Sequence, residues 1–283
     1  MIILKITHQT IIINIFINLM KYINNNIINY IALILIIILI FNCYYEQNTS
    51  VQKYLPIIFK NKNNLKKKYI NFLSKNKQII QKNKIIYIEN FLDKAFYKYL
   101  INQLNCKKFK SNNMIFRKGS GVSFYDLHTN YNGFIELYHS YELNEFVQNQ
   151  LGKVMNKPSL NDKSCCSLLI YTSKGDFIDW HYDYSSYYGD RYTILLTLIN
   201  ENKDKSDLSS NKFIYLDNGK KMEIKCKPNS LIIFNGSNIK HMSTPIDSNE
   251  KRVLLSMTFC DICQQKTNIF NSIYDKIKEF VIY

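Results

Sequence analysis

The chain has 283 residues and a mass of 33.6 kDa, and 46% of its residues are hydrophobic, 14% aromatic and 21% charged. This composition is too apolar for a disordered protein, lacks the Gly or Pro bias of a fibrous one, and supports one large domain or two small ones with a buried core. The net charge of +15 comes mostly from lysine, since only Arg117, Arg191 and Arg252 are arginine, and we interpret it as solvated surface rather than a nucleic-acid footprint.

The N-terminal part of the sequence predicts a membrane anchor. Residues 1–26 form a tail, and residues 27–45, IINYIALILIIILIFNCYY, are uncharged and long enough to span a bilayer as a helix. A secretory signal would be followed by small residues for cleavage, and a core helix would show a polar face; neither is present. We expect a single-pass membrane protein, with the rest of the chain in either the endoplasmic reticulum lumen or the cytoplasm. Residues 46–85, rich in Lys and Asn, are interpreted as a linker that is solvated or rests on lipid.

Residues 86–264 predict one mainly β domain with flanking helices. Apolar residues recur at helical spacing after Phe91 and again after Leu143. Strand patterns follow, and Asn218-Gly219 is typical of a two-residue hairpin. The predicted strands are 164–172, 177–183, 191–199, 212–217, 220–226, 230–235, 239–244 and 251–260. Helices followed by strands predict an antiparallel sandwich or barrel with helices against one face, and residues 265–283 predict a C-terminal helix.

Two histidines and one aspartate are the candidate metal ligands. His181 and Asp183 lie two residues apart in FIDWHYDY, which we interpret as a strand, so that their side chains point to the same face of the sheet. His241 lies between two later strand patterns and supplies a third ligand. Two histidines and one carboxylate leave three positions open, which is the facial triad suited to non-haem Fe(II). Zinc hydrolases use the same ligand types.

Arg252 favours the iron alternative. A hairpin centred between Ile246 and Asp247 would place Arg252 opposite His241 on the neighbouring strand. Arginine is the side chain best suited to bidentate recognition of a carboxylate. We therefore expect a metal enzyme with an anionic co-substrate.

Three segments of the sequence resemble the 2-oxoglutarate- and Fe(II)-dependent oxygenases, particularly their prolyl 4-hydroxylase-like branch. The segments are YTSKGDFIDWHYD, GDRYTILLTLIN and SLIIFNGSNIKHMSTPIDSNEKRVLLSMTF, and the resemblance covers about residues 85–262. It implies a double-stranded β-helix, or jelly-roll, core. It also implies that His181, Asp183 and His241 hold Fe(II), that Arg252 binds the distal carboxylate of 2-oxoglutarate, and that Tyr171 lines the co-substrate pocket.

The resemblance further implies a reaction. The family uses O2 and 2-oxoglutarate, releases succinate and CO2, and hydroxylates its substrate, and ascorbate is the expected helper. Two positions depart from the family pattern: Arg252 stands where collagen-type prolyl hydroxylases carry lysine, and Thr197 or Leu198 replaces a strand tyrosine that often helps to hold the co-substrate.

The function expected from these features is hydroxylation of a protein or peptide side chain, with proline as the expected residue. One alternative is a nucleic-acid oxidative demethylase, which would need a basic rim and a base-stacking platform at the iron mouth. Another is a catalytically silent β-helix binding protein. We do not expect a nucleic-acid partner, and the oligomeric state and disulfide pairing are left open.

Other motifs are interpreted as structural. Cys260 and Cys263 form a single C-x-x-C without a second pair, which favours strand-end packing over a zinc ribbon. His128 and His139 have no partner at ligand spacing. The tyrosine-rich segment 184–190 is either a substrate-facing loop or an ordinary surface turn.

Overall fold

The computed structural model describes residues 72–266, except 83, 105–111, 115, 160, 161 and 163, together with the isolated residues 34 and 37. The chain divides into two compact units, Met1–Gln52 and Lys53–Tyr283, and the second is described below. The predicted tail lies outside the described residues, as do the predicted C-terminal helix apart from residues 265 and 266 and the predicted anchor at 27–45 apart from residues 34 and 37. In the described part of the chain, no helix has both the length and the apolar character needed to cross a membrane.

Four helices and twelve strands make up the described part of the second unit. The helices are α1 (Lys94–Leu104), α2 (Phe124–Asn130), α3 (Asn132–His139) and α4 (Tyr141–Leu151). The strands are β1 (Gln78–Lys82), β2 (Ile85–Glu89), β3 (Asn112–Met114), β4 (Arg117–Val122), β5 (Cys166–Tyr171), β6 (Phe177–His181), β7 (Arg191–Glu201), β8 (Phe213–Asp217), β9 (Lys220–Ile224), β10 (Ser230–Asn235), β11 (His241–Ser243) and β12 (Lys251–Cys260). Each of the eight predicted strands is present within two residues of its predicted ends.

The strands form a curled, entirely antiparallel sheet. One part has the order β1-β2-β10-β7-β12-β5-β4, and the other continues as β4-β6-β11-β8-β9, with β3 paired to β4. Strand β4 belongs to both parts, because Arg117 and Lys118 pair with β6 whereas residues 120–122 pair with β5. This arrangement is consistent with the predicted jelly-roll, and the prediction of a mainly β fold with flanking helices is confirmed.

The core lies between the two parts of the sheet. Its buried residues come from both sides and include several aromatic rings: Tyr171, Leu195, Phe213, Tyr215, Ile232, Phe234, Ile239, Ile246 and Leu254. The helices cover the first part of the sheet. The Tyr97 hydroxyl of α1 donates to the Leu198 carbonyl (2.6 Å), and the Tyr138 hydroxyl of α3 donates to the Thr258 carbonyl (3.1 Å). Because both faces of β7 and β12 are covered, these strands are buried along most of their length.

The hairpin predicted at Asn218-Gly219 is present in the structure. The predicted hairpin at Asn218-Gly219 joins β8 to β9, with Asp217 paired to Lys220. Both turn residues have positive φ, 49° and 79°, as the favoured two-residue hairpin turn requires.

The predicted hairpin between the strands of His241 and Arg252 is wrong. Strand β11 pairs with β6 and β8, whereas β12 pairs with β5 and β7 in the other part of the sheet. The connection crosses between the two parts because Ile246 bonds through its backbone to the turn at residues 173–176: its amide donates to Asp176 O and its carbonyl accepts from Gly175 N. A polar turn in the sequence is compatible with either connection, so it did not distinguish them.

Strand β1 lies within the residues that the sequence analysis assigned to the linker. Its residues 78–82 pair in register with β2, and most of them are exposed. An edge strand whose two isoleucines, Ile79 and Ile80, are exposed carries no buried face, so its pattern resembles that of a linker.

Candidate active site

The three candidate ligands meet at the junction of β6 and β11. His181 is the last residue of β6 and is paired directly with His241, the first residue of β11. One ligand atom from each of His181, Asp183 and His241 lies within 4.8 Å of the others. The carboxylate Oδ1 of Asp183 is 3.7 Å from Nε2 of His181 and 4.0 Å from Nε2 of His241.

A β-bulge aims His181 into this site. The next pair after His181 and His241 joins Ile178 to Ser243, so three steps on β6 match two steps on β11. The extra residue keeps both Ile178 and His181 on the inner face of the sheet, which simple alternation would not do. Bulges of this kind are common next to active sites because they redirect a side chain.

Backbone carbonyls fix the tautomer of both imidazoles. Nδ1 of His181 lies 2.7 Å from the carbonyl oxygen of Asp179, and Nδ1 of His241 lies 2.9 Å from that of Ile239. A carbonyl can only accept, so each Nδ1 carries the hydrogen and each Nε2 presents a lone pair to the site. This is the usual arrangement around metal-binding histidines. Burial lowers the pKa of His241 to about 4, which keeps its imidazole neutral near pH 7.

Asp183 is held as a carboxylate with one oxygen left for a ligand. Its amide donates to Gly236 O (2.8 Å), and the Thr193 hydroxyl donates to its Oδ2, which leaves Oδ1 facing the imidazoles. Burial by itself would raise the pKa of Asp183. The neighbouring histidines, the Arg191 guanidinium and the Thr193 hydrogen bond outweigh burial and hold that pKa well below its usual range.

The ligand set is open on one side. The side chain of His181 is 34% exposed and that of Asp183 is 18% exposed, whereas His241 is only 6% exposed. A substrate can therefore approach past His181, and the side next to His241 leads into the core between the sheets.

Gly236 is required at this site for close packing. A Cβ at this position would overlap Asp183 Oδ2 and Thr193 Oγ1. We expect Gly236→Ala to displace the carboxylate and to weaken metal binding about 10- to 100-fold, the range typical for loss of an outer-shell partner. Metal titration checks this, with Gly219→Asn as the control, because that turn has open space and asparagine tolerates positive φ. Wild-type metal affinity in Gly236→Ala would contradict the assigned packing.

A second polar cluster surrounds Arg252 in the core. Arg252 is 1% exposed, and its Nη1 donates to Ser243 Oγ (2.6 Å) and to Asn211 Oδ1. Its Nη2 lies 3.6 Å from Cys226 Sγ, and no described residue gives its Nε a hydrogen-bond partner. These partners are all neutral, and within residues 72–266 as described no carboxylate forms an ion pair with Arg252. A buried guanidinium in neutral surroundings suits an anionic ligand.

Tyr171 lies beside this guanidinium. It is paired directly with Arg252 across β5 and β12, and its hydroxyl lies near Ser243, which counteracts the rise that burial causes in the pKa of Tyr171. Ser243 is two residues beyond His241, so it lies on the same side of β11 at about 7 Å. The cluster is therefore connected to the ligand set through β11 itself and not through the hairpin predicted from the sequence.

The structure thus brings together all five residues named from the sequence, in two neighbouring clusters. Sequence reasoning missed Thr193, Gly236 and Asn211, and it missed Ser243 although alternation from His241 could have indicated it. His128 and His139 lie in α2 and α3, away from both clusters, and pack against the Phe124 ring. Cys260 and Cys263 form a disulfide at the end of β12, a pairing that the sequence left open.

The disulfide lies next to the segment at residues 184–190. Residues 261–266 run along this segment, and the bonds are Gly189 N to Ile262 O (3.1 Å), Tyr188 N to Gln264 O (3.0 Å) and Lys266 N to Ser186 O (2.7 Å). Arg191 adds a bond from Nη1 to Tyr184 O (2.6 Å). The segment is thus held at both ends near the ligand set.

Comparison with known proteins finds likeness only in structure. No family model matches the chain, and a search of curated protein sequences also finds no match. A 2OG-Fe(II) oxygenase family oxidoreductase from Burkholderia pseudomallei has 9% identity and a TM-score of 0.51, over 65% of this chain and 89% of that one. The epimerase SnoN, solved with Fe3+, alpha-ketoglutarate and nogalamycin RO, has 11% identity and a TM-score of 0.50, over 67% and 84%.

A prolyl hydroxylase from Trichoplax adhaerens, solved with a peptide fragment of the hypoxia inducible factor oxygen degradation domain, has 16% identity and a TM-score of 0.47, over 63% of this chain and 84% of that one. The resemblance stated from the sequence is confirmed at the level of the fold. The chain has the fold of the 2-oxoglutarate- and Fe(II)-dependent oxygenases.

Proposed function

We propose that the chain is an Fe(II)- and 2-oxoglutarate-dependent dioxygenase that hydroxylates a protein side chain, with proline as the residue. The observation that carries the proposal is the pairing of two clusters. One is the His-Asp-His ligand set. The other is the buried guanidinium of Arg252, which binds Ser243, two residues beyond His241 on β11, and has no anionic partner among the described residues. The choice of proline as the hydroxylated residue is supported by the resemblance of the sequence to the prolyl 4-hydroxylase-like branch.

The ligand set fits Fe(II). Two neutral imidazoles with free Nε2 atoms and one carboxylate oxygen are the facial triad, which leaves three positions for other ligands. When bound, Fe(II) supplies with O2 the oxidative decarboxylation of 2-oxoglutarate to succinate and CO2, coupled to hydroxylation of the substrate. Asp183 partly neutralises the charge of the metal, and Thr193 and Gly236 hold its carboxylate in place.

The core cluster fits the distal carboxylate of 2-oxoglutarate. Arg252 offers charged donors at a depth from which water is excluded, and Ser243 and Asn211 hold the guanidinium in its orientation. Tyr171 presents its hydroxyl to the same space. These residues position the carboxylate through a cluster with no hydrogen bond to the metal ligands in the described part of the chain. Ascorbate is proposed only as the external reductant.

The surface near the open side favours a peptide over a nucleic acid. Residues 181–190 contain no lysine or arginine, and Tyr182 and Tyr188 are exposed by 54% and 61%. All three arginines are buried. Aromatic surfaces suit extended or proline-rich peptides, whereas a nucleic acid needs a basic rim.

Succinate release tests this function. We expect the full-length chain, supplied with Fe(II), ascorbate and 2-oxoglutarate, to release succinate faster with a proline-rich peptide than with a methylated oligonucleotide. Stimulation by the oligonucleotide alone would favour a demethylase and contradict the proposed substrate. No succinate release and no 2-oxoglutarate binding would favour a silent binding protein.

We further propose that residues 27–45 tether the enzyme to a membrane, with residues 46–85 as the linker before the oxygenase domain. The support is the uncharged apolar run in the sequence. The full-length chain is expected to remain with the membrane after alkaline extraction, and a variant lacking residues 27–45 is expected to be released. Release of the full-length chain would contradict the tether.

A further inference from the structure

Arg117 is a second buried cation beside the core cluster. It is 5% exposed, and only its Nη2 has a hydrogen-bond partner, the Ser120 carbonyl at 3.3 Å. Its Nε and Nη1 are buried and have no partner among the described residues, and no ion pair joins it to a described carboxylate. A buried guanidinium with two unmet donors is costly unless an anion binds to it.

The strand register places Arg117 at the level of the carboxylate site. On the inner face, Arg117 pairs with Ile178 of β6, and Ile178 also pairs with Ser243 of β11. Ile178 packs on the core between the sheets, so its directly opposed neighbours face the same interior. Arg117 and Ser243 therefore flank Ile178 in one row, and Ser243 binds Arg252.

Gly119 brings β4 against the other side of this site. Its φ is +145°, and a Cβ there would lie 3.0 Å from the Ile170 carbonyl and 3.3 Å from Cδ1 of the Tyr171 ring. Gly119, two residues after Arg117, thus lies against the Tyr171 ring at the point where β4 crosses from one part of the sheet to the other. Burial raises the pKa of the Tyr171 hydroxyl, and the charges of Arg117 and Arg252 both act against that rise, as expected if the two cations lie near the phenol.

Among the described residues, a buried carboxylate whose charge also acts on Tyr171 is that of Asp176. Its Oδ2 accepts the Thr172 and Ser173 amides (both 2.9 Å), and its Oδ1 lies 3.9 Å from Lys118 Nζ without a hydrogen-bond partner among the described residues. The interior next to Tyr171 thus holds two guanidinium groups without a bound anion from the described residues.

We propose that Arg117 is a second anchor for the distal carboxylate of the dicarboxylic acid co-substrate, acting with Arg252 on opposite sides of the Tyr171 hydroxyl. This inference rests on the proposed function. Two cations at the end of the site away from the metal would favour acids that carry a second carboxylate at the end that does not bind the metal. Arg117 pairs with Ile178, about three residues along β6 from His181, whose exposed side is where the substrate enters. Arg117 therefore lies at the inner end of the site, away from the substrate entrance.

Equilibrium binding without O2 tests the role of Arg117 apart from turnover. The full-length chain with Fe(II) is titrated with 2-oxoglutarate, with glutarate, which lacks the keto group, and with 2-oxopentanoate, which lacks the distal carboxylate. We expect Arg117→Gln to weaken binding of the two dicarboxylates about 10- to 100-fold, as for loss of a charge-assisted hydrogen bond, and to leave 2-oxopentanoate binding unchanged. Lys220→Gln, which removes an exposed lysine on β9, is the charge control.

Two results would overturn the inference. Unchanged dicarboxylate binding would show that Arg117 does not contact the ligand, and an equal loss for all three acids would show a structural role. If wild type itself fails to bind 2-oxoglutarate, the proposed function fails as well. Should Arg117→Gln not fold, Arg117→Lys replaces it, and a smaller loss confined to the two dicarboxylates is expected because the charge remains without the bidentate fork.

Discussion

Alanine in place of His181 or His241 is expected to abolish Fe(II)-dependent succinate release. Each variant removes one of three protein ligands, so metal affinity should fall by more than the roughly 10- to 100-fold typical of an outer-shell change. Asp183→Asn should act similarly, because it removes the charge that neutralises the metal while keeping the shape of the side chain. Metal titration and succinate release measure the two effects.

Asp179→Asn is the matched control for the carboxylate. Asp179 lies on β6, four residues before Asp183, its side chain is exposed, and its contact with His181 is made by the backbone carbonyl. This variant should bind metal and turn over as wild type does. Wild-type activity in either histidine variant would contradict the ligand assignment.

Arg252→Ala is expected to raise the dissociation constant for 2-oxoglutarate by about 100- to 1000-fold, because a buried carboxylate site loses its cation and both Nη donors. Affinity for the metal should not change, since Arg252 makes no hydrogen bond to the ligand set in the described structure. Isothermal titration with 2-oxoglutarate and with Fe(II) separates these two effects.

Lys251→Ala is the control for Arg252, because it removes the adjacent cation, which lies on the other face of β12. Arg252→Lys should recover part of the affinity, since lysine keeps the charge but not the bidentate geometry. An unchanged dissociation constant in Arg252→Ala would mean that the anchor is elsewhere.

The strands of the domain could be predicted because their patterns are local. Strand β12 carries a nearly continuous apolar run after a polar turn. Strands β8 and β9 are joined by Asn218-Gly219, a dipeptide typical of the two-residue hairpin turn with positive φ at both positions. The spacing of His181 and Asp183 likewise depends on one short segment. The structure adds a bulge that the spacing alone did not show.

The surroundings of the site could not be predicted because they depend on long-range pairing. Asn211, Cys226 and Ser243 come from three different parts of the chain to bind Arg252, and no local pattern links them. The hairpin error has the same cause, since the turn before Arg252 is polar in either topology. The prediction that Arg252 lies near the strand of His241 is correct, but the contact is made by the Arg252 side chain with Ser243 and not by a hairpin between the two strands.

Strand β4 shows the same limit of local patterns. Its sequence, RKGSGV, has two glycines and no alternation typical of a strand, so nothing in it predicts pairing to both β5 and β6. Arg117 therefore reaches the interior only through tertiary pairing. The scarcity of arginine was the one sequence signal, since all three arginines are buried near the two clusters.

The most direct test of the account is an experimental structure of the chain with Mn(II) and 2-oxoglutarate, because it locates both ligands at once. We predict one metal bound by Nε2 of His181, Oδ1 of Asp183 and Nε2 of His241, and the distal carboxylate of 2-oxoglutarate on the Arg252 guanidinium. A metal bound at other residues, or a co-substrate that leaves Arg252 unpaired, would contradict it.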